Sequence, residues 1–182
     1  MNPAPNLFLI GPMGAGKTTI GRRLAEHLSL PFHDLDHVIE TQTGATIPLI
    51  FEVEGEAGFR RRERAALAEM VAHDGIVLAT GGGAVLDAGN RALLAARGFV
   101  VWLETTVEQQ LARLARDRKR PLLAAPDRRE RLESMALVRN PLYREIADLR
   151  LAPSCDHVPQ VTAELLHELE RIWRRAATTA AA

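Results

Sequence analysis

The chain has 182 residues, 47% hydrophobic and 25% charged, which suits one soluble globular domain with room for a sizeable core. Its 23 Lys+Arg balance 23 Asp+Glu, which argues against a broad nucleic-acid or membrane surface and leaves room for a local basic pocket. The single cysteine, Cys155, excludes an internal disulfide and a multi-cysteine metal site and suits a reducing, cytoplasmic setting, and no stretch approaches the ~20 apolar residues of a membrane span.

The lead-in Met1–Asn6 lacks the charged start of a signal peptide. Leu7-Phe8-Leu9-Ile10 is a continuous apolar run, as expected of a strand buried on both faces. It enters Gly11-Pro12-Met13-Gly14-Ala15-Gly16-Lys17-Thr18, the spacing G-x-x-x-x-G-K-[ST] of a phosphate-binding loop. Glycines let the backbone curl and turn its N–H groups toward one point, and the following helix adds the positive end of its dipole. Lys17 would reach the terminal phosphates, and the Thr18 hydroxyl is a hard oxygen ligand for Mg²⁺. Lys17 and Lys119 are the only lysines; elsewhere positive charge is written as Arg. A helix over 17–28 carries Ile20, Leu24 and Leu28 on one face.

Residues 31–34 read as a second strand, ending in Asp34-Leu35-Asp36, and a helix over 37–43 stops at Gly44. Asp34-x-Asp36 has two readings: a helix N-cap, or a pair of carboxylates beside a Mg²⁺–nucleotide, one ordering the metal's waters and one holding the acceptor hydroxyl. Thr46 caps a short helix with Ile47, Ile50 and Phe51, ended by Gly55. Residues 59–73 form a helix with Leu67, Met70 and Val71 inward and Arg61, Arg62 and Glu69 outward. Within it Arg60-Arg61-Arg62-Glu63-Arg64 reads most simply as a solvated face, with Arg60 and Arg64 on one side and Glu63 able to orient a neighbour.

Ile76–Ala79 is the next buried strand and runs into Thr80-Gly81-Gly82-Gly83. Three consecutive glycines are a poor choice for a mere turn, and close approach of backbone to a ligand explains them better. The Asp of an ordinary Walker B strand is missing here, which turns the search for metal support to Asp34. A helix over 87–97 ends at Gly98, read as a left-handed cap, before the strand Phe99–Leu103. Thr105-x-x-Glu108 predicts a capping box opening a helix through Leu111 and Leu114. Arg116, Arg118, Lys119 and Arg120 crowd a stretch that Pro121 and Pro126 keep from regular helix, either a solvated loop or a basic lid over a transferring phosphoryl group. Asp127-x-x-Glu130 reopens a helix that reaches Arg139 and is broken by Asn140-Pro141. Leu149–Leu151 is a last strand, and the final helix carries Val161, Leu165, Leu169, Ile172 and Trp173 on one face. The low-complexity end, 176–182, is expected to fray. The six histidines (27, 33, 37, 73, 157 and 167) show no metal spacing and read as structural or surface groups.

Apolar strands alternating with amphipathic helices predict an α/β fold with a parallel sheet covered on both faces, whose ligands bind at the strand carboxyl ends. The phosphate loop, Asp34/Asp36 and the triple glycine all fall at such ends.

Six pieces together resemble shikimate kinase, within the nucleoside-monophosphate-kinase-like P-loop families. They are Gly11–Thr18, Asp34-Leu35-Asp36, Gly58-Phe59-Arg60-x-x-Glu63, Leu78–Gly83, Arg120-Pro121-Leu122-Leu123 and Arg139-Asn140-Pro141-Leu142-Tyr143. The resemblance implies a single P-loop kinase domain with a five-stranded parallel sheet in the order 2-3-1-4-5, a substrate region over 34–63 and a lid over 116–126. It implies a monomeric enzyme that uses ATP with Mg²⁺, and transfer of the γ-phosphoryl to the 3-hydroxyl of shikimate on the route to aromatic amino acids. ATP binding then falls to Gly14, Ala15, Gly16, Lys17, Thr18, Thr19 and Arg120, and substrate binding to Asp36, Arg60, Gly81, Gly82, Gly83 and Arg139. Lys17, Asp36 and Arg120 would be catalytic. Thr18 would hold the metal directly and Asp34 through water. Some family members pack an arginine after the last strand against adenine; Ala152–His157 has none, so the resemblance assigns no adenine contact there. The rival readings are a related kinase for gluconate or a nucleoside monophosphate, and a nucleotide-binding switch without phosphotransfer. The guanine signature Asn-Lys-x-Asp of a GTPase is absent from the sequence.

Overall fold

A computed structural model of the protein describes residues 4–115, 127–152 and 157–173. The basic segment 116–126 with Arg120, residues 153–156 and the tail 176–182 lie outside the described residues. Five strands form one sheet: β1 (Asn6–Ile10), β2 (Phe32–Asp34), β3 (Val77–Ala79), β4 (Gly98–Leu103) and β5 (Leu149–Leu151). Their order is β2-β3-β1-β4-β5 and every pairing is parallel, as expected.

Side chains alternate across each strand, so each run divides its apolar residues between two faces. Phe8, Ile10, Leu78, Val100 and Trp102 point to one face and meet α2 (Leu35–Thr43), α3 (Ile47–Met70), α4 (Ala88–Arg97) and α6 (Arg128–Ile146). Leu7, Leu9, Val77, Val101 and Leu103 point to the other and meet α1 (Lys17–Leu28) and α7 (Val158–Ile172). A third cluster of Met13, Leu114 and Leu132 joins the phosphate loop to α5 (Val107–Leu114) and α6.

Register sets the functional edge. Asp34 pairs with Ala79, and Ala79 with Leu9, so Asp34, the glycine run after Ala79 and the loop after Ile10 leave the sheet side by side. The chain turns to one side of β1 through β2 and β3 and to the other through β4, so the loop sits at the point where strand order reverses.

Several local expectations change. Gly98 is extended (φ −156°) and opens β4. Glycine is required there by packing, since a Cβ would lie 2.3 Å from the Phe8 ring. The capping box sits one residue later, on Thr106 and Gln109, because a glutamine at the third position serves as well as a glutamate. Asp127 makes no side-chain cap and instead pairs with Arg131 at 3.2 Å. Helix α6 does not break at Pro141 but continues to Ile146. The carbonyl that Pro141 leaves without a partner belongs to Leu137, which is 79% exposed, while Tyr143 and Ile146 anchor the following turn in the core. Gly55 interrupts α3 with φ 67° and ψ −178°, as its reading as a stop requires, but helix resumes directly after it and ends at Met70. Among the described residues no helix is long and apolar enough to cross a membrane.

Candidate active site

The phosphate loop has the shape its glycines predict. Gly14 and Gly16 both adopt positive φ (77° and 88°), which places the loop's turns in conformations that other residues rarely adopt. Gly16 is the N-cap of α1 and supplies no side chain, whereas α2, α3, α4 and α5 are each capped by Asp34, Thr46, Asp87 or Thr106. The first-turn N–H groups of α1, from Lys17 to the exposed Thr19, therefore lack a capping acceptor from Gly16, as an anion site requires. Lys17 is 8% exposed, and its ammonium donates to the Gly11 and Pro12 carbonyls, each at 2.8 Å. Ala15 is buried and packs under the loop.

The helix-cap reading of Asp34 holds, and the cap uses only one of its two carboxylate oxygens. One carboxylate oxygen caps α2 by accepting from the Asp36 N–H at 3.1 Å, and the other accepts from the Thr18 hydroxyl at 2.6 Å. Among the described residues no three His, Cys, Asp or Glu side chains gather to hold a metal ion. Thr18 and Asp34 offer an oxygen-only pair, which fits a Mg²⁺ whose other ligands are waters and phosphate oxygens.

The three glycines each have a separate steric reason. A Cβ on Gly81 would lie 2.8 Å from Glu63 Oε1 and 3.3 Å from Asp36 Oδ1. On Gly82 it would lie 3.3 Å from the Met13 backbone nitrogen, and on Gly83 2.4 Å from an Arg60 nitrogen. The turn thus gathers the phosphate loop, Asp36, Glu63 and Arg60 around a strip of bare backbone. Arg60 is held by Glu63 at 2.7 Å and by Glu56 at 3.0 Å. Two other arginines of that run are paired elsewhere: Arg62 with Glu54, and Arg64 with Asp87. Burial pushes the Glu63 carboxyl above the usual carboxylate range; Arg60 opposes this, the charge of Asp36 adds to it, and Arg139 pulls it back down.

Arg139 reaches the same place from α6. It is 8% exposed and, among the described residues, has no carboxylate at salt-bridge distance. A guanidinium so buried without an anion is a costly arrangement unless a ligand supplies the charge. It lines a cleft together with Pro12, Met13, Thr105, Asn140 and Tyr143. Burial pushes the Tyr143 phenol up to about 12, while Arg139 and Arg60 beside it act to lower it. The unfolded chain releases that proton near the ordinary value of 10.0, so above it the folded state binds a proton that the unfolded state has lost. Stability is expected to fall as pH rises from about 10 to about 12, by about 3 kcal/mol in all, and this contribution is complete below that window. Tyr143→Phe should remove that component, seen as a flatter pH dependence of urea-unfolding free energy; parallel curves for the two proteins would exclude it.

Three contributors escaped the sequence reading. Gln110, buried on α5, donates to the Met13 carbonyl at 2.8 Å, and Arg113 donates to the Gly14 carbonyl at 2.8 Å. The third, Tyr143, donates its hydroxyl to the Gly82 carbonyl. The available signals were a polar residue on the inner face of α5 at position 110 and the place of Tyr143 in the Arg139–Tyr143 motif, which carried no role for it.

Comparison with known proteins agrees with this architecture. The shikimate kinase family model matches residues 13–170. A shikimate kinase of Stenotrophomonas maltophilia is 57% identical over 175 residues, which cover 96% of this chain and 97% of that protein. The structure of Acinetobacter baumannii shikimate kinase in complex with shikimate superposes with a TM-score of 0.89 at 48% identity, over 92% of this chain and 94% of that one. That of the Aquifex aeolicus shikimate kinase gives 0.79 at 32% identity, over 91% and 96%. With the phosphate loop, the glycine turn and the two arginines in one fold of this topology, the chain belongs to the shikimate kinase family.

Proposed function

We infer that the protein transfers the γ-phosphoryl group of ATP to the 3-hydroxyl of shikimate, giving shikimate 3-phosphate and ADP. The observation that carries the reading is the buried Arg139 without a carboxylate partner, across the glycine turn from Arg60 and beside an uncapped, lysine-bearing helix N-terminus. One end of the site suits a chain of phosphates and the other a small carboxylate with hydroxyls.

The roles follow from the chemistry of each group. The N–H groups at the start of α1 and the Lys17 ammonium hold the β- and γ-phosphates and oppose the charge that spreads over the γ-oxygens as transfer proceeds. Thr18, with Asp34 behind it, would hold Mg²⁺, which neutralises phosphate charge when bound. Arg60 and Arg139 grip the carboxylate with planar donor forks, which match its two oxygens better than an ammonium would. That grip turns the 3-hydroxyl toward the γ-phosphorus. Asp36 accepts from the attacking hydroxyl and takes its proton as the new O–P bond forms and the bond to the bridging oxygen of ADP breaks. Asp36 sits beside the glycine turn, within reach of an acceptor lying on that backbone. Arg120 stays in the proposal as a further charge over the phosphates. A monomeric enzyme of the cytoplasm fits this reading.

Arg60→Ala and Arg139→Ala are each expected to raise the KM for shikimate about 10- to 100-fold, the loss of a hydrogen-bonded charge, with little change in the KM for ATP. Equal increases for both substrates would argue against a carboxylate clamp. The reading as a whole is tested by ADP release from Mg²⁺-ATP with shikimate, gluconate and AMP offered in parallel. Turnover with shikimate alone, abolished by Lys17→Ala, is the expected result. Turnover with gluconate or AMP instead would overturn the acceptor, and ATP binding without any turnover would favour a nucleotide-binding module.

A further inference from the structure

Tyr143 is wholly buried, one helical turn beyond Arg139 on α6, and no role in binding follows from its burial alone. Its hydroxyl crosses to the glycine turn and donates to the Gly82 carbonyl at 2.5 Å. The Arg139 guanidinium lines the same cleft as the phenol, and its charge acts on that hydroxyl. The ring is fixed from behind by Trp102, with centroids 5.7 Å apart.

The glycine turn explains why this bond matters. The Gly81 carbonyl accepts from the Ala84 N–H at 3.1 Å and the Gly83 carbonyl from the Leu86 N–H at 3.0 Å. Both bonds are local and would form with any residue at position 143. The middle carbonyl alone depends on a side chain from a distant helix. In a trans peptide the N–H points opposite to the carbonyl of the same peptide unit, so holding the Gly82 carbonyl aims the Gly83 N–H. Among the described residues the N–H groups of Gly81, Gly82 and Gly83 have no acceptor within the protein. They are buried or half-buried donors, and an oxygen-rich ligand on the turn would satisfy them.

We propose that Tyr143 is a positioning residue for the acceptor: its hydroxyl locks the Gly82–Gly83 peptide and the Arg139 guanidinium into one carboxylate-binding arrangement. The proposal rests on the assignment of this edge to shikimate. It makes Tyr143 the link between two groups that otherwise lie on separate segments, the turn after β3 and α6.

The test is Tyr143→Phe in the full-length protein, which keeps the ring and removes one oxygen. The shikimate KM is expected to rise about tenfold, with the KM for Mg²⁺-ATP within about twofold of wild type. Shikimate methyl ester, a neutral acceptor of the same shape, should show at most about half of that logarithmic change, because the carboxylate charge is what the arrangement grips. In an Arg139→Ala background the same substitution should add less than about threefold, since the two groups act together. A purely structural role would move both KM values or neither, and would act equally on acid and ester. An unchanged shikimate KM, parallel changes in both substrates, or full additivity with Arg139→Ala would each overturn the proposal. Arg60→Ala run alongside separates the causes. If it raises the shikimate KM and Tyr143→Phe does not, only the role of Tyr143 falls; if neither does, the assignment of the acceptor edge falls with it.

Discussion

Lys17→Ala is expected to lower kcat by about 10²- to 10³-fold while leaving the fold intact. The ammonium is one of the few positive groups that the loop can bring against the transferring phosphoryl, and it is held there by two carbonyls at 2.8 Å. Those bonds pre-orient the charge before substrate arrives, so little reorganisation remains for the transition state. The substitution removes the bonds to the Gly11 and Pro12 carbonyls and leaves the apolar core in place, so thermal unfolding should shift by only a few degrees, roughly a 1 kcal/mol effect. Single-turnover measurements with saturating ATP would separate chemistry from binding. A rate within about tenfold of wild type would remove Lys17 from the charge-stabilising set.

Asp36→Asn carries the second large effect, a fall in kcat of about 10²- to 10⁴-fold with shape preserved. An amide accepts a hydrogen bond from the acceptor hydroxyl but takes no proton at neutral pH. The change should also be felt next door. Asp36 contributes to the raised pKa of Glu63, so neutralising it should lower the Glu63 pKa toward the ordinary range. Glu63 holds Arg60, so the acceptor KM should stay near that of the wild type while kcat collapses. Near-normal turnover in Asp36→Asn would exclude Asp36 as the base, and a rise in KM alone would reduce it to an anchor.

Helix α6 shows where reading from sequence is weakest. Proline and the Asp-x-x-Glu pattern are local signals, and both pointed to breaks or caps that packing overrode. Pro141 loses one hydrogen bond, but burial of Tyr143 and the bond from its hydroxyl to Gly82 outweigh that loss. The shift of the α5 cap from Thr105 to Thr106 is of the same kind, since two overlapping patterns satisfied one rule and the backbone selected between them. Gly98 taught a different lesson: the same residue type answers to φ in one place and to a neighbouring ring in another.

The phosphate-loop end of the candidate site was legible in the sequence alone. Its groups are consecutive, from Gly11 to Thr18, and their geometry follows from local backbone freedom and from the start of one helix. The convergence of Asp34, Asp36 and the triple glycine on one edge followed from alternating apolar runs, and the five-strand order from the resemblance of six short motifs. The acceptor end was decided by tertiary structure. Periodicity could say that Arg60 and Arg64 share a side of α3, but not that Arg60, paired with Glu63, lies against Gly83 while Arg64 pairs with Asp87. Arg139 and Tyr143 reach that turn from 56 residues or more beyond it, brought there by the packing of α6 on the sheet face that holds Trp102. Contacts between distant segments depend on register and core packing, which no local spacing encodes, and it is these contacts that give the acceptor site its buried charge.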